Sequence, residues 1–255
     1  MSDTIYFEQP LNERIRSFLR LEHLFKQAAY TLRGYSIWDS RSTLMSITSI
    51  LDILSRNDLK TELLKELERQ EKALSALADL PGVDKVELKN VLKQIESAQQ
   101  LLLGLDGQLG QDIREHELLN SLRQRSSIVG GTCDFDIPYL HYWLQRTPEY
   151  RIEILENWFE KLEVISNPIN LILDITRESS SPTNILAEKG FYQESIDSNS
   201  PVQLIRVGIN KELEYYPEIS AGKQRFSIRF MIPQNGNRAI QHLDDLNFQL
   251  MCCTL

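Results

Sequence analysis

A chain of 255 residues, 42% hydrophobic and 25% charged, has the composition of a globular protein and the length for one large domain or two smaller ones. Its formal net charge of −8 argues against a broad nucleic-acid surface, and no apolar run reaches the length a membrane span needs. Three cysteines, two of them the adjacent Cys252 and Cys253, show no Cys-x-x-Cys or Cys/His spacing, so neither a disulfide framework nor a metal site is expected. The charged N-terminus lacks the apolar core of a signal peptide, and a soluble, intracellular protein is expected.

From Pro10 to about Arg177 the apolar residues recur at helical spacing. Pro10 is expected to open a helix with Ile15, Phe18, Leu19 and Phe25 on one stripe, broadened by Leu21 and Leu24. Leu44, Ile47, Leu51 and Leu54 repeat the pattern. Asn57 or Asp58 is a plausible cap for the next run, which is rich in helix formers and ends at Pro81-Gly82. Val83 to Leu103 reads as its returning partner, so an antiparallel helical hairpin is expected, with dimerisation as a second reading of its surface. A further block spans Gln111 to Arg125. Two more helices follow Gly130-Gly131, over Phe135 to Gln145 and Glu149 to Arg177, separated at Thr147-Pro148.

Ser179-Ser-Ser-Pro182 marks a change of period. Beyond it Ile205, Val207 and Ile209 alternate, as do Phe226, Ile228 and Phe230, and then Leu246, Phe248 and Leu250. Asn235-Gly236 supplies a turn in the connection between the last two of these strands. The expected fold is α+β: an N-terminal α-helical domain over residues 1–180, then a small C-terminal antiparallel β-domain over residues 181–255.

The stretch Lys223-Gln-Arg225-Phe-Ser-Ile-Arg229-Phe-Met231 carries the clearest chemical signal. As a strand it places Phe226, Ile228 and Phe230 on one face, and Arg225, Ser227 and Arg229 on the other. Neighbouring arginines on an open face repel unless an anion lies over them. Residues 201–255 hold six Lys/Arg against five Asp/Glu, a +1 segment in an acidic chain. RNA-binding sheets set stacking aromatics and cations on one face, whereas here the alternation separates them, so a nucleic-acid site is not expected. No P-loop, Rossmann glycine pattern or Gly-x-Ser-x-Gly elbow is present. Asp134, Asp136 and His141, or Cys133 with His141, lie close in sequence but follow no recognised catalytic or ligand spacing, and Asp136 reads more simply as a helix cap before Pro138. No catalytic residue, cofactor or metal is expected.

Seven blocks, in order, resemble a known family. They are Phe7-Glu-Gln-Pro10-Leu-Asn-Glu-Arg, Arg56 with Thr61-Glu-Leu-Leu-Lys-Glu-Leu, and Arg123-Gln-Arg125. Gly130-Gly131 with Phe135-Asp136 and Leu140-His141 comes next, then Gly190-Phe-Tyr, Tyr216-Pro-Glu-Ile-Ser and Arg225-Phe-Ser-Ile-Arg229-Phe. With Cys252-Cys253 close behind, the pattern is similar to the ZapD family of bacterial cell-division proteins across nearly the whole chain. The resemblance implies a cytoplasmic homodimer at the mid-cell division ring. That dimer would have no enzyme activity and would bind the C-terminal tail peptide of FtsZ to bundle its filaments. An adaptor for another peptide, on the same fold, is the alternative.

Carried over by motif, the resemblance assigns tail binding to Arg20, Arg56, His141, Arg225 and Arg229, in a cationic cleft between the helical and β-domains. Arg16, Arg123, Arg125 and Lys223 are further candidates. Where relatives can carry an arginine before Arg123, this chain has Glu117, so the contact either excludes that position or shifts to Arg114, Arg123 or Arg125. Each candidate also has a plainer role. Arg20 can lie along the surface or pair with Glu13 within its helix. Arg225 and Arg229 can blunt an edge strand against aggregation. His141 can be a satisfied boundary residue.

Overall fold

The computed structural model describes residues 3–56, 58–78, 80–105, 107–197, 202–222 and 224–255. In chain order these form β1 (Thr4–Pro10), α1 (Glu13–Leu32), α2 (Ile37–Arg56), α3 (Leu59–Ser75), α4 (Lys85–Leu103), α5 (Gln111–Arg114), α6 (Glu117–Arg125), α7 (Pro138–Leu144) and α8 (Pro148–Glu178). The strands β2 (Thr183–Ala187), β3 (Phe191–Ser195), β4 (Leu204–Asn210), β5 (Tyr216–Ala221), β6 (Arg225–Gln234), β7 (Asn237–Gln241) and β8 (Leu246–Cys253) follow. The fold is α+β, a run of helices and then antiparallel sheets. It divides into a helical unit, Ser17–Ile172, and a β unit made of Leu173–Leu255 with the segment up to Arg16.

In the helical unit the expected stripe of α1 is buried at Phe18, Leu21 and Phe25, whereas Leu19 and Leu24 are half-buried and Ala28 extends it; that of α2 is buried at Leu44, Ile47, Leu51 and Leu54. Asp58 caps α3 by accepting the Thr61 N–H. Asn57 lies outside the described residues. The hairpin is antiparallel: Lys60, early in α3, donates to the Leu105 carbonyl just past α4 at 2.6 Å, while Glu71 receives Gln99 at 3.0 Å. It lies against the other helices, since Leu59, Leu63 and Leu67 are buried and Gln70 donates to the Ile172 carbonyl at 3.1 Å. The block expected over Gln111 to Arg125 is two helices. His116 breaks it by capping α6, its Nδ1 accepting the Leu118 N–H at 3.3 Å. Glu117 is exposed in the first turn of α6, where a carboxylate faces the positive end of the helix dipole.

The β unit corrects the reading of the N-terminus. Pro10 does not open a helix. It ends β1, which pairs antiparallel with β4 from Thr4↔Asn210 to Pro10↔Leu204. α1 begins at Glu13, and Asn12 accepts the Ile15 N–H at 2.9 Å. One four-stranded sheet has the order β1-β4-β8-β2. The other has β3-β6-β5, with β7 continuing beside β6. Their facing sides enclose Ile205, Val207, Phe226, Ile228, Phe230 and Phe248, and the Phe230 and Phe248 rings lie 5.1 Å apart. Asn235-Gly236 turns β6 directly into β7, Gly236 taking φ +79°, so the long connection expected before β8 contains a strand. Gly190 takes φ +65°, and a Cβ there would lie 2.1 Å from the His242 carbonyl oxygen. Only glycine admits this approach between the segments entering β3 and leaving β7.

Candidate functional site

Alternation along β6 is as expected. Phe226, Ile228 and Phe230 are buried, whereas Arg225 and Arg229 are exposed and Ser227 is half-exposed between them. The edge-blunting role is excluded by topology, because β6 has β3 on one side and β5 on the other. Sequence periodicity gives the faces of a strand but carries no information on its neighbours.

Register completes this outer face. Arg229 stands opposite Phe191 of β3 and Glu218 of β5, Ser227 opposite Gln193 and Ser220, and Arg225 opposite Ser195. The Arg229 guanidinium carbon lies 6.0 Å from the centre of the Phe191 ring. Beside Arg229, the short Ser220 and Ser227 leave a cavity of about 440 Å³, lined also by Glu218, Ile219 and Arg229 itself. Ser227 was placed on this face by the strand alternation, whereas Phe191, Glu218 and Ser220 were missed by the sequence reading. Their only signal is cross-strand register, although all three fall inside blocks that carried the resemblance.

The other candidate cations divide by their partners. Arg123 Nε donates to Asp52 Oδ1 at 2.8 Å and joins α6 to α2. Arg125 pairs with Asp136 at 3.0 Å. Asp136 is therefore not the cap of α7: Ile137 occupies that position without a side-chain bond, and Pro138, whose fixed φ suits a first helical turn, starts the helix. His141 is exposed, with Nδ1 3.1 Å from Asp134 Oδ2. Arg16 pairs with Glu13 at 3.4 Å, a solvent-exposed contact of little energy. That contact takes the acid offered above as a partner for Arg20. Arg114 reaches Gln108 and the Leu109 carbonyl.

Arg20, Arg225 and Arg229 differ from these. All three are exposed, and among the described residues no carboxylate forms an ion pair with any of them. Arg56 is the last residue of α2, and Lys223 lies outside the described residues. Arg20, Arg56 and His141 belong to the helical unit, Arg225 and Arg229 to the β unit. Within the β unit, Arg225 and Arg229 are brought onto one open face. Chemically that face can bind an anionic group through charge-assisted hydrogen bonds and an apolar or aromatic group beside Phe191. Among the described residues no group of three or more His, Cys, Asp or Glu could hold a metal ion, and no helix is long and apolar enough to cross a membrane.

Comparison with known proteins gives one consistent result. The family model ZapD, described as a cell division protein, matches residues 19–229. A cell division protein ZapD of Methylococcus capsulatus is 40% identical over 255 residues, covering 100% of both chains. Those of Nitrosomonas eutropha (39% over 251 residues, 98% of this chain and 100% of the relative) and Chromobacterium violaceum (40% over 250 residues, 98% and 99%) are similar throughout.

Proposed function

The chain belongs to the ZapD family of cell division proteins, and we propose on that footing that it is a division-ring adaptor for FtsZ. In this reading it acts in the cytoplasm at mid-cell, binds the acidic C-terminal tail of FtsZ and, as a homodimer, joins filaments into bundles. The observation that carries the proposal is the pair Arg225 and Arg229, two exposed cations on one strand face with no carboxylate in ion-pair contact among the described residues. Arg20 supplies a third such cation in the helical unit, and Arg56 and His141 of that unit are proposed as further tail-binding residues. Desolvated cation–carboxylate contacts fix orientation and speed encounter. Weak individual sites suffice, because a dimer facing a polymer meets many tails at high effective concentration.

The test is fluorescence anisotropy of a labelled FtsZ C-terminal peptide titrated with the intact protein. Arg225→Glu and Arg20→Glu are each expected to weaken binding by roughly thirtyfold or more, since losing one partner of such a pair costs about 2–5 kcal/mol. Thermal unfolding should be unchanged in both. Raising salt from about 0.1 M to about 1 M shortens the screening length from about 10 Å to about 3 Å and should weaken the wild type steeply. Salt-independent binding would point to an apolar groove instead. Absence of saturable binding by the wild type would overturn the proposal.

A further inference from the structure

Beside the arginines, β5 presents backbone groups that its own sheet leaves unused. Gly222 N donates to Arg225 O at 2.9 Å, extending the register in which Ala221 faces Phe226. Hydrogen-bonded and non-bonded pairs alternate in an antiparallel ladder. Ser220 and Glu218 therefore turn their backbone groups toward β6, whereas Ala221, Ile219 and Pro217 turn theirs away. Pro217 fits that parity, since it has no N–H to donate to β6. The far side of β6 is filled: Phe230 N donates to Gly190 O at 2.9 Å, and His242 N donates to Phe230 O at 2.8 Å. No strand pairs with the outward side of β5 among the described residues, and no hydrogen bond there engages the N–H of Ile219 or Ala221, although β1 of the other sheet approaches β5 to within 8 Å between Cα atoms. Pro217 is buried, so the open stretch begins at Glu218.

We infer that this edge of β5 receives an extended acidic peptide as an added strand, with its outward carboxylates turned toward Arg225. The inference rests on the tail-binding reading above and gives it a mode. An added strand lies about 4.8 Å beyond β5, beside the trough that the short Ser220 and Ser227 leave with Glu218, Ile219 and Arg229. Glu218 sets the register. A peptide carboxylate directly beside it is repelled, so the acids lie toward Ser220 and Arg225. Backbone pairing supplies affinity, and the alternate side chains supply selection.

The decisive experiment is amide-resolved hydrogen exchange of the intact protein with and without the FtsZ tail peptide, together with peptides N-methylated at alternate backbone positions. Exchange at Ile219 and Ala221 is expected to slow by roughly tenfold or more, with little change at Ser220, already bonded to β6. Methylation on one alternate set should abolish binding, and on the other set leave it nearly intact. Ala221→Pro, which removes an outward donor in the manner of Pro217, should weaken binding roughly tenfold. If that variant unfolds, the methylated peptides still decide. Saturable binding with neither protection nor alternate-position sensitivity would overturn the added strand and leave tail binding standing. Absence of binding by the unmodified peptide would overturn both.

Discussion

His116 shows how one residue can interrupt a helix that its neighbours would continue. Its ring packs edge-on against Trp158, with centres 4.7 Å apart, while Nδ1 accepts the Leu118 N–H at the start of α6. Burial holds its pKa below the ordinary 6.5, against a smaller upward pull from Glu117. Protonation would turn the accepting nitrogen into a second donor facing a donor. The folded pKa lies below the unfolded one, so this contribution is complete above pH 6.5 and is lost as pH falls through the lower folded value. Asn in its place also caps a helix but does not titrate. Between pH 7.5 and 5 the wild type is therefore expected to lose about 2–4 °C more in Tm than His116→Asn, the equivalent of about 1 kcal/mol of cap. Equal losses would show that His116 does not titrate against the fold. A ring acting as cap is absent from the usual Ser, Thr, Asp and Asn signature, which is why Gln111 to Arg125 reads as one undivided block in the sequence.

At the scale of elements, the same residue type serves two purposes that composition cannot separate. Arg123 is mostly buried against Asp52 and ties α6 to α2, whereas Arg225 on β6 faces solvent with no carboxylate among the described residues to hold it. Arg123→Ala is thus expected to lower Tm by about 2–4 °C, near 1 kcal/mol, and to leave tail-peptide affinity within about twofold. Calorimetry and anisotropy on the one variant check both halves. A large loss of affinity at unchanged Tm would move Arg123 into the binding site. The faces of β6 were legible because a period of two is a local property, and Phe226, Ile228 and Phe230 declare it without reference to the rest of the chain. Its central place between β3 and β5 was not legible, nor was the edge at β5. Strand order is fixed by contacts between segments far apart in sequence.

Over the whole molecule, the N-terminal strand shows how far apart those segments can be. β1 contributes Glu8, which stands opposite Arg206 and accepts from its Nε at 2.9 Å, while Arg177 near the end of α8 binds the same carboxylate through two nitrogens, at 2.8 and 2.9 Å. The Arg206 guanidinium carbon also lies 4.7 Å from the centre of the Tyr6 ring. The three charged side chains are only 16–19% exposed, so Glu8→Ala leaves two arginines close together without their shared acid. A loss of about 3 kcal/mol is expected, read as a lower midpoint in urea at unchanged slope. A midpoint within error of the wild type would mean that the cluster is solvated and dispensable.

The sequence by itself determined the class of the fold, the buried stripes of the long helices, the two faces of β6 and, through its ordered motifs, the family. All of these rest on residues a few positions apart, where helical or extended geometry alone fixes which side chains share a side. Tertiary structure decided that residues 4–10 complete a sheet whose other strands begin at Thr183, that Arg123, Arg125 and His141 stand beside acids, and that Glu218 and Phe191 flank Arg229. Each of these is a pairing of groups that no local period encodes. The free energy of an ion pair or a strand ladder depends on which distant segment arrives opposite, and that is fixed only when the core closes.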